Sequence, residues 1–105
     1  MSDGHLRIES SAEGTTARVR LIGELDLDGT VRATEALVSH AGTAVTAVVI
    51  DASELTFLDS SGLRVLLQAR EQLHEANVSL SLENATGPVE RVLEMTGTLA
   101  LLSGS

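Results

Sequence analysis

The 105 residues, 43% of them hydrophobic, suffice for one compact domain with its own core; because Phe57 is the only aromatic residue, that core must be aliphatic. Seven arginines and no lysine stand against fifteen acidic residues, and the resulting net charge of −8 argues against nucleic acid, which needs basic patches and stacking platforms. With no cysteine there is no disulfide, thiol nucleophile or thiolate metal site, and with no lysine there is no P-loop phosphate lysine or Schiff base.

The opening Met1-Ser2-Asp3-Gly4-His5 has no apolar run and does not read as a signal peptide. Leu6 and Ile8 alternate with Arg7 and Glu9 as a short edge strand. Ala17, Val19 and Leu21 alternate with Arg18 and Arg20 as a second strand, wetted on one face, and the turn residues Glu13-Gly14-Thr15 join the two as an antiparallel hairpin. From Asp28 the period lengthens. Val31, Thr34, Leu37, Val38 and Ala41 form the stripe of an amphipathic helix that Gly42 stops. Val45 to Ile50 is a nearly continuous β-branched run, expected of a strand buried on both faces, closed by Asp51-Ala52-Ser53-Glu54. The stretch Ala44 to Ile50 falls far short of the roughly 20 residues that cross a bilayer.

A second helix begins near Ser60, with Leu63, Leu66, Leu67, Leu73 and Ala76 inward and Arg64, Gln68, Glu71 and Glu75 outward, and Asn77 ends it. Val78, Leu80 and Leu82 alternate with serines as a further strand. Gly87-Pro88 opens a third helix with Val89, Val92, Leu93 and Thr96 on one side, stopped at Gly97. Leu99 to Leu102 fits either a short strand or part of a helix. The strand–helix–strand unit from Val45 to Leu82 implies parallel strands with a right-handed crossover. The fold expected is a single α/β domain, a small mixed sheet with helices gathered mainly on one face.

Three polar clusters are candidates for function. Asp59-Ser60-Ser61-Gly62 reads first as a helix N-cap, as most such tetrapeptides do; the sharper reading is a phosphate-acceptor site, since a helix N-terminus favours an anion and Gly62 leaves room for another backbone, or a kinase active site, to approach. Gly23-Glu24-Leu25-Asp26-Leu27-Asp28-Gly29-Thr30 reads as an acidic turn capped by Asp28 or Thr30; it lacks the further ligands of a calcium loop, so no metal is expected. Asp51-Ala52-Ser53-Glu54 reads as strand-end capping. A serine-hydrolase triad fails: the Gly-x-Ser-x-Gly elbow is missing, and His74 lies about 21 Å along the helix that Ser60 begins.

Gly23-Glu24-Leu25-Asp26, Val48-Val49-Ile50-Asp51, Leu55 to Leu63 and Arg91 to Gly97 together resemble the STAS family, specifically the bacterial anti-sigma factor antagonists. The resemblance implies a STAS fold and a non-enzymatic, cytoplasmic partner-switching regulator of transcription in a stress response. Such an antagonist binds an anti-sigma factor serine kinase when unphosphorylated, so that the sigma factor is released, and a serine phosphatase restores it. It implies Ser60 as the phosphorylated residue, preceded by Asp59 and followed by Ser61, not normally the acceptor, with Asp26 on the neighbouring loop of the partner surface; Asp28, Thr30 and Gly62 are expected to complete that partner-binding surface. No cofactor, direct nucleic acid or membrane contact is implied, and a monomer or weak dimer is expected. Family members usually continue into a further strand and final helix, so residues 1–105 are expected to form one STAS domain whose final helix is absent or shortened. The alternative within the family is a non-phosphorylated structural subunit of a lipid ABC transporter or similar assembly.

Overall fold

The computed structural model describes residues 5–103. Strands β1 (Leu6–Glu13) and β2 (Thr16–Leu25) form the expected antiparallel hairpin. A 3-10 turn, Leu27–Gly29, leads into helix α1 (Thr30–Val38), and β3 (Ala47–Leu58) follows. Helix α2 (Ser60–Glu75), β4 (Ser79–Glu83), α3 (Gly87–Met95) and α4 (Leu99–Leu102) complete the order. The sheet runs β1-β2-β3-β4, with β2, β3 and β4 parallel. Because the chain winds steadily in one direction, crossovers of one hand set the helices on one face. The mixed sheet and one-sided helices are those expected from the sequence, and the Leu99–Leu102 tail is a helical turn.

Ala17, Val19 and Leu21 of β2, Val48, Ile50 and Ala52 of β3, and Leu80 and Leu82 of β4 point into one aliphatic core beneath the helices. From α1 come Ala33 and Leu37, from α2 Val65, Leu66, Ala69 and Leu73, and from α3 Val89 and Leu93. Among the described residues, no helix is long and apolar enough to cross a membrane.

Four local expectations are corrected. First, β3 is not buried on both faces: Val49, opposite Arg18 and Ser81, is half-buried, because no helix covers that side. The open face is instead laced by Arg18–Glu83 (2.7 Å), Arg20–Glu54 (2.6 Å), Arg20–Glu9 (3.3 Å) and Arg7–Glu9 (2.9 Å). Second, β3 does not close at Asp51–Glu54 but runs on to Leu58, with an extra residue opposite Arg20/Ile22 and another opposite Gly23/Glu24. Ser53 N–H donates to Asp51 Oδ1 (3.0 Å) at the first irregularity, and Thr56 Oγ1 donates to the Gly23 carbonyl (3.0 Å) at the second. These bulges change the burial spacing from two to three, so Leu55 and Leu58 turn inward. Third, Val31 is 67% exposed and the buried face of α1 is Ala33 and Leu37. Fourth, Thr96 is exposed, its hydroxyl donating to the Val92 carbonyl (2.8 Å) at the end of α3.

Asp51 links the strand to acid stability. Burial pushes its carboxyl up, but the Ser53 N–H, the Asn84 amide, the Ser53 hydroxyl and the Arg18 guanidinium together hold it below the ordinary value. A carboxyl whose folded pKa is depressed stabilises the fold above the unfolded pKa, about 3.9, and loses that contribution as pH falls through the folded value. Asp51→Asn is therefore expected to flatten the fall of unfolding free energy below about pH 4, measured by urea denaturation across that range.

Candidate functional site

The register of the sheet builds the site. Leu25 and Leu58 are partners on the parallel strands β2 and β3, both are buried, and the residues that follow them are Asp26 and Asp59. The two aspartates therefore leave adjacent strands at the same edge. Each turns its chain into a helical segment in the same way. Asp26, extended at φ −127°, accepts a hydrogen bond from Asp28 N–H (3.1 Å), and Asp59, extended at φ −108°, accepts one from Gly62 N–H (2.9 Å). A cap of this kind satisfies one of the amide groups left free by the first turn. The cap of the acidic turn is thus Asp26, in place of Asp28 or Thr30; Thr30 Oγ1 donates to the Leu27 carbonyl (3.0 Å).

Ser60 is the first residue of α2 and is exposed. Among the described residues its hydroxyl has no hydrogen-bond partner. Ser61, beside it, is half-buried. Gly62 is buried, and a Cβ at this position would run into the Leu25 carbonyl and the Leu25 and Leu58 side chains. The room left by Gly62 is therefore filled by the domain's own backbone, which is the first of the two roles expected for it, and not by an outside molecule. This contact presses the first turn of α2 onto the ends of β2 and β3 and fixes where Ser60 emerges.

The expected site residues Asp26, Asp28, Thr30, Asp59, Ser60, Ser61 and Gly62 thus belong to one edge of the sheet and the helix starts above it. A groove of about 450 Å³ between α1 and α2 is lined by Leu27, Thr30, Val31, Ser60, Ser61 and Arg64, among others. Leu27 and Val31 are 70% and 67% exposed, a pair of apolar side chains beside the free serine. The sequence reading missed both as surface residues: Val31 fitted a helical stripe, and Leu27 was one apolar residue in an acidic turn. The signal that was available is that Leu27 lies between Asp26 and Asp28, in a turn where two flanking carboxylates need water. His74 lies in the last turn of α2, at the opposite end of the 16-residue helix from Ser60.

The Asp59 cap carries a testable energy. Asp59→Ala is expected to cost about 1 kcal/mol of stability, read as a lower urea midpoint, whereas Asp59→Asn, which keeps an acceptor oxygen, retains most of it.

A family model described as Mlab, STAS domain matches residues 8–103. Among solved structures, the anti-sigma factor antagonist SpoIIAA in its unphosphorylated form is 25% identical, covering 90% of this chain and 83% of that one with a TM-score of 0.76. The Bacillus cell fate determinant SpoIIAA in the phosphorylated form is 24% identical over 93% and 87%, with a TM-score of 0.71. An anti-sigma factor antagonist from Mycobacterium paratuberculosis is 24% identical over 97% and 86%, with a TM-score of 0.80. The murine Slc26a9 anion transporter is 15% identical, covering 81% of this chain and 14% of that one with a TM-score of 0.69. No curated protein sequence matches the chain.

Proposed function

The chain belongs to the STAS domain family, and from that premise we propose that it is an anti-sigma factor antagonist switched by phosphorylation of Ser60. Unphosphorylated, it binds an anti-sigma factor that is also a serine kinase, and the sigma factor is freed. The kinase places phosphate on Ser60, the complex dissociates, and a serine phosphatase restores the binding form. The chain itself performs no catalysis in this scheme and works in the cytoplasm, as monomer or weak dimer. The observation that carries the reading is the exposed Ser60 at the head of α2, its hydroxyl without a hydrogen-bond partner among the described residues, with the Asp26 and Asp59 caps on adjacent strand ends and Leu27 and Val31 exposed beside it. Apolar side chains give a partner something to bury, and the serine is placed where an added charge falls within that contact. SpoIIAA, with solved unphosphorylated and phosphorylated forms, supports the reading by analogy.

The competing reading is a structural STAS subunit of a lipid ABC transporter or similar assembly, kept open by the likeness to part of an anion transporter. Affinity capture of the tagged chain from its own cells separates the two. Recovery of a serine kinase with wild type, reduced with Ser60→Asp, supports the switch. Recovery of a transporter ATPase, equal with both variants, would overturn it in favour of the subunit reading.

A further inference from the structure

Two open grooves run from Ser60 along the two flanks of α2, and Arg64 lines both. Arg64 is exposed and, among the described residues, has no ion pair, whereas Arg7, Arg18 and Arg20 are each paired on the open sheet face. It stands four residues after Ser60 on the same helix. Residues at that spacing share a face, one turn apart, and helical side chains lean back toward the N-terminus. The long side chain of Arg64 is thereby directed over the turn that carries Ser60.

We propose that Arg64 is the receiving cation for a phosphate on Ser60, so that modification both adds an anion to the docking face and withdraws a free cation from it. This rests on the Ser60 reading above and names the residue through which that site is regulated. Glu35 from α1 and Glu71 on α2 also line the grooves with Arg64. A phosphate offers more charge and three acceptor oxygens, and the guanidinium fork matches it in two parallel hydrogen bonds. It therefore outcompetes a single carboxylate for Arg64. The unmodified serine has no such hold, and the guanidinium remains available to a partner's carboxylate.

The test installs phosphoserine at position 60 during translation and follows its second ionisation by phosphorus NMR, in the wild-type background and in Arg64→Gln and Arg64→Lys. A neighbouring cation favours the dianion, so this ionisation, ordinarily near pH 6, is expected about 0.3 pH unit lower with Arg64 present than in Arg64→Gln. Arg64→Lys should recover part of the shift, and molar salt should erase it. Equal titration of wild type and Arg64→Gln at low salt would overturn the pairing. Because the phosphate is installed and not transferred, that failure is distinct from failure of the Ser60 reading, which would appear as a cognate kinase leaving Ser60 unlabelled.

Discussion

Phosphate on Ser60 is expected to weaken binding to the partner kinase by about 10- to 1,000-fold, a loss of only about 1.4 to 4.1 kcal/mol, with the fold unchanged. The added charge is about −1.5 to −2 at pH 7. It arrives at an exposed position beside Asp59 and the turn bearing Asp26 and Asp28, in a chain of net charge −8. A docked partner that buries Leu27 and Val31 would have to desolvate that phosphate or pair it. Either is costly next to carboxylates. Within the domain the same phosphate sits at the first turn of a 16-residue helix, where an anion is stabilised. Titration calorimetry on the two forms should show the affinity loss, and circular dichroism should show equal helix content. Ser60→Asp, with one charge, should reproduce part of the loss, and Ser60→Ala should bind like the unmodified chain. Equal affinity of modified and unmodified chains would remove the switch.

Gly62→Val is expected to be the most damaging single change at this edge of the molecule, costing about 3 kcal/mol or more. The added side chain has nowhere to go: the Leu25 carbonyl and the Leu25 and Leu58 side chains already fill the space, and backbone cannot swing aside as the end of a flexible side chain can. In a domain whose total stability is of order 5–15 kcal/mol, this should lower the melting temperature by about 10 °C or more. Gly42 is the control. A Cβ there meets nothing within 4 Å, and its φ of +79° is one that asparagine tolerates, so Gly42→Asn should shift the melting point little. A Gly62→Val chain as stable as wild type would mean that α2 is not seated on β2 and β3 as described. Function should fall with stability in this variant, because Ser60 and the Asp59 cap are held by the same contact.

Most of the architecture was legible because period and burial agree wherever the sheet is regular. Ala17, Val19 and Leu21 alternate in sequence and are all buried; Leu80 and Leu82 behave likewise. Legibility failed where regularity fails. The extra residues in β3, one between Asp51 and Glu54 and one between Leu55 and Phe57, break the alternation, so a continuing strand looked finished, and the Ser53 and Thr56 hydrogen bonds that repair it have no period. Val49 was misjudged because a β-branched run does not reveal how many faces are covered; the arginines opposite and near it belong to another strand. Val31 fitted the helical stripe, but α1 begins only at Thr30, and its buried face is set by Ala33 and Leu37. Around Ser60 the residue types and spacing could be read from Asp59-Ser60-Ser61-Gly62, and Asp26 could be read from resemblance. The Leu25–Leu58 register, which sets the two caps side by side, is a long-range pairing that no local spacing encodes. The same is true of Gly62, whose reason lies in a carbonyl 37 residues earlier in the chain, at Leu25.

The decisive measurement is to map the phosphate after incubation with ATP and the kinase captured by the wild-type chain. One phosphate per chain is expected, on Ser60, with none acquired by Ser60→Ala. Phosphate on Ser61 or elsewhere, or none at all from a kinase that binds the chain, would contradict it.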